Sequence, residues 1–304
     1  MWEELQFASS LVVSGLSIGL MYSLIALGFV LVYKATDAIN FAQGEFVMLA
    51  GFVAALTLAA KMPVLVAVAA AVAIMVAFSF ALERVVLRPL VNQPDIILFM
   101  ATIGLTYFLI GFGELVFGGE PKVMITEQLL LPTGSYEWET LGGRVILQQI
   151  DIAAAVIAAL MVAGLAVLFQ RTRIGRALRA VADDHQAALS VGISLETIWV
   201  IVWFAAGVVA LATGIMWGAR SDVSFALQIV ALKALPVLVL GGLTSVPGAI
   251  VGGLIIGIGE KLGEIYWGGL LGGGIESWLA YFIALACLLV RPQGLFGERL
   301  IERV

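Results

Sequence analysis

Apolar stretches of about twenty residues recur along almost the whole chain, and this repetition restricts the fold more than any other feature. A hydrocarbon layer about 30 Å thick is crossed by about 20 helical residues, so each run is a candidate transmembrane helix. Reading the runs between charges gives nine, near 11–33, 41–60, 63–82, 96–117, 150–169, 196–219, 226–245, 249–267 and 276–290. The runs are continuous rather than alternating apolar and polar, which argues against an outer-membrane barrel. Only 12% of the residues are charged, against about 25% in a soluble domain, too few to clothe a surface in water. These features predict a single all-α domain over 1–304, a polytopic transmembrane helical bundle of about nine segments (eight to ten), some of them discontinuous.

Basic residues orient the segments. Arg84 and Arg88 follow the third run, Arg171, Arg173, Arg176 and Arg179 the fifth, and Arg291, Arg299 and Arg303 the last, so those ends are expected in the cytoplasm. The stretch 118–149, with Glu120, Glu127, Glu137 and Glu139 against Lys122 and Arg144, falls on the other side and reads as a periplasmic loop. The N-terminus is then outside and the C-terminus cytoplasmic, which requires an odd number of crossings; half-helices flanking Pro247 are the alternative. No Lys or Arg precedes the first run, so the basic region of a cleavable signal is missing and that segment is expected to stay as a helix. The 34 glycines read mostly as packing residues that let helices approach closely in lipid.

The chemistry-bearing residues are few. Cys287 is the sole cysteine and His185 the sole histidine, so an intramolecular disulfide, a catalytic triad and a Cys/His metal cluster all lack members. No catalytic or metal-ligating residue is assigned, and the net charge of −5 points to no nucleic-acid partner. Two Gly-interrupted stretches, INFAQGEFVMLAGF and LTSVPGAIVGGLIIG, point instead to a transport path, because irregular backbone at membrane depth survives only against protein or a water-filled cavity. From the first come Asn40, Gln43 and Glu45, and from the second Thr244 and Ser245. Glu45 reads either as a pathway carboxylate or as one satisfied by the free N–H groups of a helix start. Lys233, inside IVALKALPVL, either faces the cavity, where a carboxylate such as Glu45 is a possible partner, or extends outward to the interface. Glu260, Lys261 and Glu264 read as a solvated helix end.

The longest polar stretch on the cytoplasmic side, RTRIGRALRAVADDHQAALSVGIS at 171–194, carries a helical pattern: Ile174, Ala177, Leu178 and Val181 share one face and Arg176 and Arg179 another, between Gly175 and Gly192. Such a short amphipathic helix suits docking into a partner's groove. Asp183 and Asp184 either pair with Arg179 or face that partner.

In this stretch and in five others, taken in order, the chain resembles the LivH-type permeases of branched-chain amino acid ABC importers. The others are GLMYSLIALGFVLVY, INFAQGEF, ERVVLRP, KALPVLVLGGLTSVPGAIVGGLIIGIGE and RPQGLFG. Gln43 stands where that pattern often has His, which argues against a proton-sensitive role there. The resemblance implies an inner-membrane importer with two related permeases (this chain with a LivM-type paralogue or a copy of itself), two ATPases and a periplasmic binding protein. Within it, 171–194 would be the coupling segment, with Arg173, Gly175, Arg176, Arg179, Asp183, Asp184 and Gly192 at the ATPase contact. ATP and Mg would be used by the partner subunits, with no cofactor in this chain; in keeping with that, no G-x-x-x-x-G-K-[ST] phosphate loop occurs. The implied cargo is a branched-chain or related small amino acid, with urea, short amides or aromatic acids as alternatives within the family. A stand-alone secondary transporter or channel is the rival from another class, with Glu45, Glu114 and Lys233 as its only relay candidates.

Overall fold

A computed structural model describes residues 2–36, 38–90, 93–123, 129, 131–140, 143–183 and 185–297. All nine apolar runs are helical. Six are long and apolar enough to cross a membrane: Leu11–Thr36 within α1 (Trp2–Thr36), Val64–Leu90, which comprises α3 (Val64–Leu82) and a π turn and a 3-10 turn that extend it, Ile96–Phe117 within α4 (Asp95–Phe117), α5 (Gln149–Arg171), α8 (Leu195–Ser221) and α11 (Val246–Leu271). Three are shorter: α2 (Gln43–Ala59), a segment broken into α9 (Leu227–Leu232) and α10 (Ala234–Gly241), and α12 (Leu279–Val290). At about 1.5 Å per residue these span only about 18–26 Å, so discontinuity is part of the architecture. The stretch read as a plain loop at 118–149 contains an antiparallel hairpin, β1 (Ser135–Thr140) with β2 (Gly143–Gln148), Ser135 facing Gln148. SYEWET and GRVILQ are rich in the aromatic and β-branched residues that favour strands.

Glycine sets the closeness of the central helices. On α1, Gly15 and Gly19 lie one turn apart, and on α11 Gly253 and Gly257 do the same. A Cβ on Gly19 would stand 2.6 Å from the Gly253 carbonyl oxygen, and one on Gly15 2.7 Å from the Ile258 Cα, so the two backbones touch along an antiparallel seam. Gly214 of α8 meets α2 in the same way, its Cβ position lying 2.6 Å from the Gly51 nitrogen. By contrast, α4 is tied to the bundle only lightly. Gly104 and Gly111 face open space, and an apolar crevice of about 300 Å³ lined by Leu49, Val53, Phe78, Phe112 and Val116 separates α4 from α2 and α3.

Contacts between the helix termini sort them into two ends. At one end, Trp199 Nε1 near the start of α8 donates to the Ala35 carbonyl at the end of α1 (3.0 Å), and Arg88 pairs with Glu196. At the other, Arg220 at the end of α8 meets Asp151 at the start of α5 (2.6 Å), and Lys122 and Val223 exchange backbone hydrogen bonds.

Candidate translocation and coupling sites

After α1 ends at Thr36 the chain turns back into the bundle before α2 begins. Gln43 lies against Gly28, two helical turns inside the end of α1, where a Cβ would sit 3.0 Å from the Gln43 Cδ. The irregular backbone here is satisfied locally: Ala42 N–H donates to Asn40 Oδ1 (3.1 Å) and Gln43 N–H to the Asn40 carbonyl (3.3 Å). Asn40 Nδ2 donates to Gln43 Oε1 (3.4 Å), while Gln43 Nε2, fully buried, finds no acceptor among the described residues. Glu45, 4% exposed, accepts from Thr106 of α4 at 3.4 Å. Asn40 and Gln43 are therefore brought together, while Glu45, two residues on, meets Thr106, which no sequence pattern announced.

Lys233 does not join them. It sits at the break between α9 and α10, its Nζ 3.5 Å from Glu260 Oε1 and donating to the Glu276 carbonyl at 3.0 Å. Its carboxylate partner is Glu260 rather than the candidate Glu45, because α10 runs antiparallel along α11, Val237 beside Gly252 and Gly241 beside Gly248. Nor does Glu260 sit at a solvated helix end: α11 continues three turns beyond it, and it is 2% exposed, accepting from Tyr22 of α1 at 3.1 Å. Lys261 pairs with Glu276 at 2.6 Å, and Glu264 Oε1 accepts from Gly274 N–H at 3.0 Å. Tyr22 stacks on Trp217, on which Arg220 rests in turn, linking this cluster to the Asp151 pair. Glu114 is exposed on α4, so the three relay candidates Glu45, Glu114 and Lys233 lie in three separate surroundings.

Thr244 and Ser245 also stand apart, at the end of the bundle that gathers Lys34, Arg84, Arg88, Arg171, Arg173, Arg176, Arg179 and Arg291. Ser245 caps α11 by accepting from Gly248 N–H at 3.0 Å. Both line a groove of about 200 Å³ with Lys34, Gln170, Arg179 and Phe296. The groove borders α6 (Arg173–Asp183), which α7 (His185–Ser190) follows. Leu178 and Val181 are buried as their spacing predicts, but Ile174 is 37% exposed because Gly175 takes the inner position. A side chain at 175 would collide with the Phe169 backbone, so only glycine permits the sharp α5–α6 elbow. Arg179 closes that elbow, donating to the Phe169 carbonyl at 2.9 Å and the Gln170 carbonyl at 3.4 Å, and is exposed along with Arg173 and Arg176. Gly192 takes φ +84° in the turn after α7. Asp183 closes α6; Asp184, Glu127, Arg299 and Arg303 lie outside the described residues. The tail folds back, Leu295 and Phe296 N–H donating to the Leu240 and Gly241 carbonyls (2.8 and 3.1 Å) that end α10.

Membrane-length helices locked by glycine seams, a re-entrant start to α2 and polar clusters inside the bundle define a membrane permease. The chain belongs to the family described as branched-chain amino acid transport system / permease component, whose model matches residues 11–291. It is 33% identical to the high-affinity branched-chain amino acid transport system permease protein BraD of Pseudomonas aeruginosa, over 96% of each chain. It is 29% identical to the LivH permease of Escherichia coli K12, again over 96% of each, and 27% identical to a probable LivH permease of Methanocaldococcus jannaschii, over 90% of this chain and 88% of that one. Among solved structures, a chain of PsaBC from Streptococcus pneumoniae in complex with Fab shares the fold, with a TM-score of 0.51 at 11% identity over 93% of this chain and 92% of that one.

Proposed function

We propose that this chain is one of two permease subunits in an ATP-driven inner-membrane importer, conducting branched-chain or related small amino acids delivered by a periplasmic binding protein. Its eight gathered basic residues favour that end as cytoplasmic, with the C-terminus inside and the hairpin outside. Two ATPases using ATP and Mg would sit beneath α6, and a LivM-type paralogue or a second copy would complete the membrane domain. Asn40, Gln43, Glu45 and Lys233 are the proposed pathway residues, and Thr244 and Ser245 line its cytoplasmic rim beside the coupling segment.

The observation that carries this reading is the way α6 is mounted. Arg179 and Gly175 fasten α6 to the last turn of α5, and the groove beside it is walled by α1, the start of α11 and the tail. A push on the exposed face of α6 therefore reaches α1 and α11, which pack against Gln43 and Lys233. Arg176 and Arg179 separate docking from mounting. Arg176→Glu is expected to abolish copurification of the ATPases while the protein elutes unchanged on size exclusion. Arg179→Glu is expected to lower thermal stability as well, by about 1 kcal/mol, because the carbonyls ending α5 lose their donor. Full ATPase retention by Arg176→Glu would move the docking site away from α6. In proteoliposomes holding the neighbouring-gene subunits, leucine uptake should require internal ATP; uptake by this chain alone would sink the importer reading.

A further inference from the structure

We infer that Lys233 and Glu260 form an exchangeable intramembrane ion pair that opens to receive a zwitterionic amino acid, the substrate ammonium taking Glu260 and its carboxylate taking Lys233. The inference rests on the importer reading above and narrows its cargo to molecules carrying both charges.

The geometry of the pair is the first argument. Buried ions hold together when their contacts are short and their remaining valences are filled. Charge-assisted N–H···O bonds typically close to about 2.7–2.9 Å, whereas Lys233 Nζ stands 3.5 Å from Glu260 Oε1. Tyr22 holds the other oxygen, Oε2, at 3.1 Å, so Oε1 is the valence left to a ligand. The Lys233 ammonium spends its good bond, 3.0 Å, on a backbone carbonyl, that of Glu276. The other nearby ions are engaged: Lys261 is held by Glu276 at 2.6 Å, and Glu264 accepts from the N–H groups of Gly274 and Glu276.

Placement is the second argument. Lys233 lies at the break between α9 and α10, where Tyr281 donates to the Leu232 carbonyl at 3.2 Å, so the interruption is already supported by side chains. The six-residue α9 packs on the first turn of α2: a Cβ on Gly44 would be 3.0 Å from the Gln228 carbonyl and 3.3 Å from the Ala231 Cβ. One short helix thus separates the Lys233–Glu260 pair from Glu45, the next residue after Gly44. The pair lies toward the end bearing the hairpin and the Glu45 cluster toward the basic end, the order in which imported cargo would meet them. A neutral amide such as urea replaces neither charge and would leave both ions unpaired in a low-dielectric interior, so the pair selects against it.

The test is uptake of radiolabelled leucine and urea by proteoliposomes holding the complete importer with binding protein and ATP. Lys233→Met and Glu260→Gln are each expected to raise the KM for leucine about 10- to 100-fold, the loss of one hydrogen bond to a charged group. Lys233→Arg keeps the charge and should recover most of the uptake. The decisive variant is Lys233→Glu/Glu260→Lys, which rebuilds the ion pair with its polarity reversed and whose folding is checked by size exclusion and thermal melting. It should fold and remain defective for leucine. Near-wild-type uptake by this double variant would make the pair purely structural and overturn the inference while leaving the importer reading intact. Preference of the wild-type complex for urea over leucine would overturn the inference on chemical grounds, and ATP-independent uptake would bring down both.

Discussion

Two long apolar helices, α1 and α4, are nearly indistinguishable as sequence patterns but sit very differently in the bundle. Within α1, Gly15 and Gly19 place backbone against backbone on α11, and the helix is buried along most of its length. On α4, Gly104 and Gly111 face nothing, a crevice lies behind the helix, and its polar ties are long contacts from Thr106 to Glu45 and from Thr102 to the Ile39 carbonyl, both 3.4 Å. Apolar character alone therefore takes a helix into the membrane but does not say how firmly it is held there. Firmness comes from close approach of small residues, since lipid offers helices no hydrophobic reason to associate. The α1–α11 pair is joined backbone to backbone, whereas α4 meets the bundle through side chains, Gly113 against Leu49 and Phe225 and Phe117 against Phe52.

Substitutions can break this contrast. The largest effect is expected from Gly253→Leu, whose side chain would drive into the Gly19 carbonyl and Ser23: a loss of upwards of about 4 kcal/mol, seen as the disappearance of a monodisperse peak after detergent extraction. Next comes Asp151→Ala, which leaves Arg220 without its carboxylate at the α5–α8 contact and should cost about 2–3 kcal/mol in thermal unfolding. The smallest is Gly104→Leu on α4, expected to change stability by less than about 0.5 kcal/mol. A Gly104→Leu protein as damaged as Gly253→Leu would show that α4 is held by contacts beyond those of the single chain, and would mark it as the face of the second permease.

Much of this was legible in the sequence, and the residues show why the rest was not. All nine helical segments follow from apolar length, and α6 follows from the spacing of Leu178 and Val181, because both signals are local. Asn40 meets Gln43, and Glu45 follows at the start of α2, because they are close in the chain. Lys233 was a recognisable anomaly, but its partner was not: Glu260 lies 27 residues away and reaches Lys233 only through the packing of α10 on α11. Tyr22, although inside GLMYSLIALGFVLVY, and Thr106 have no local signal that names their partners, because helices distant in sequence supply them. Thr244 and Ser245 stood in a suggestive stretch, yet they fall at the rim because α11 starts there.

The seam between α1 and α11 also has a history in time. Gly19 enters the membrane 234 residues before Gly253 is made. At about 5–20 residues per second of synthesis, α1 waits some tens of seconds for the helix it fits. During that interval its glycine face has only lipid or other helices against it. Mispairing of α1 in that window is the hazard that so close a fit creates.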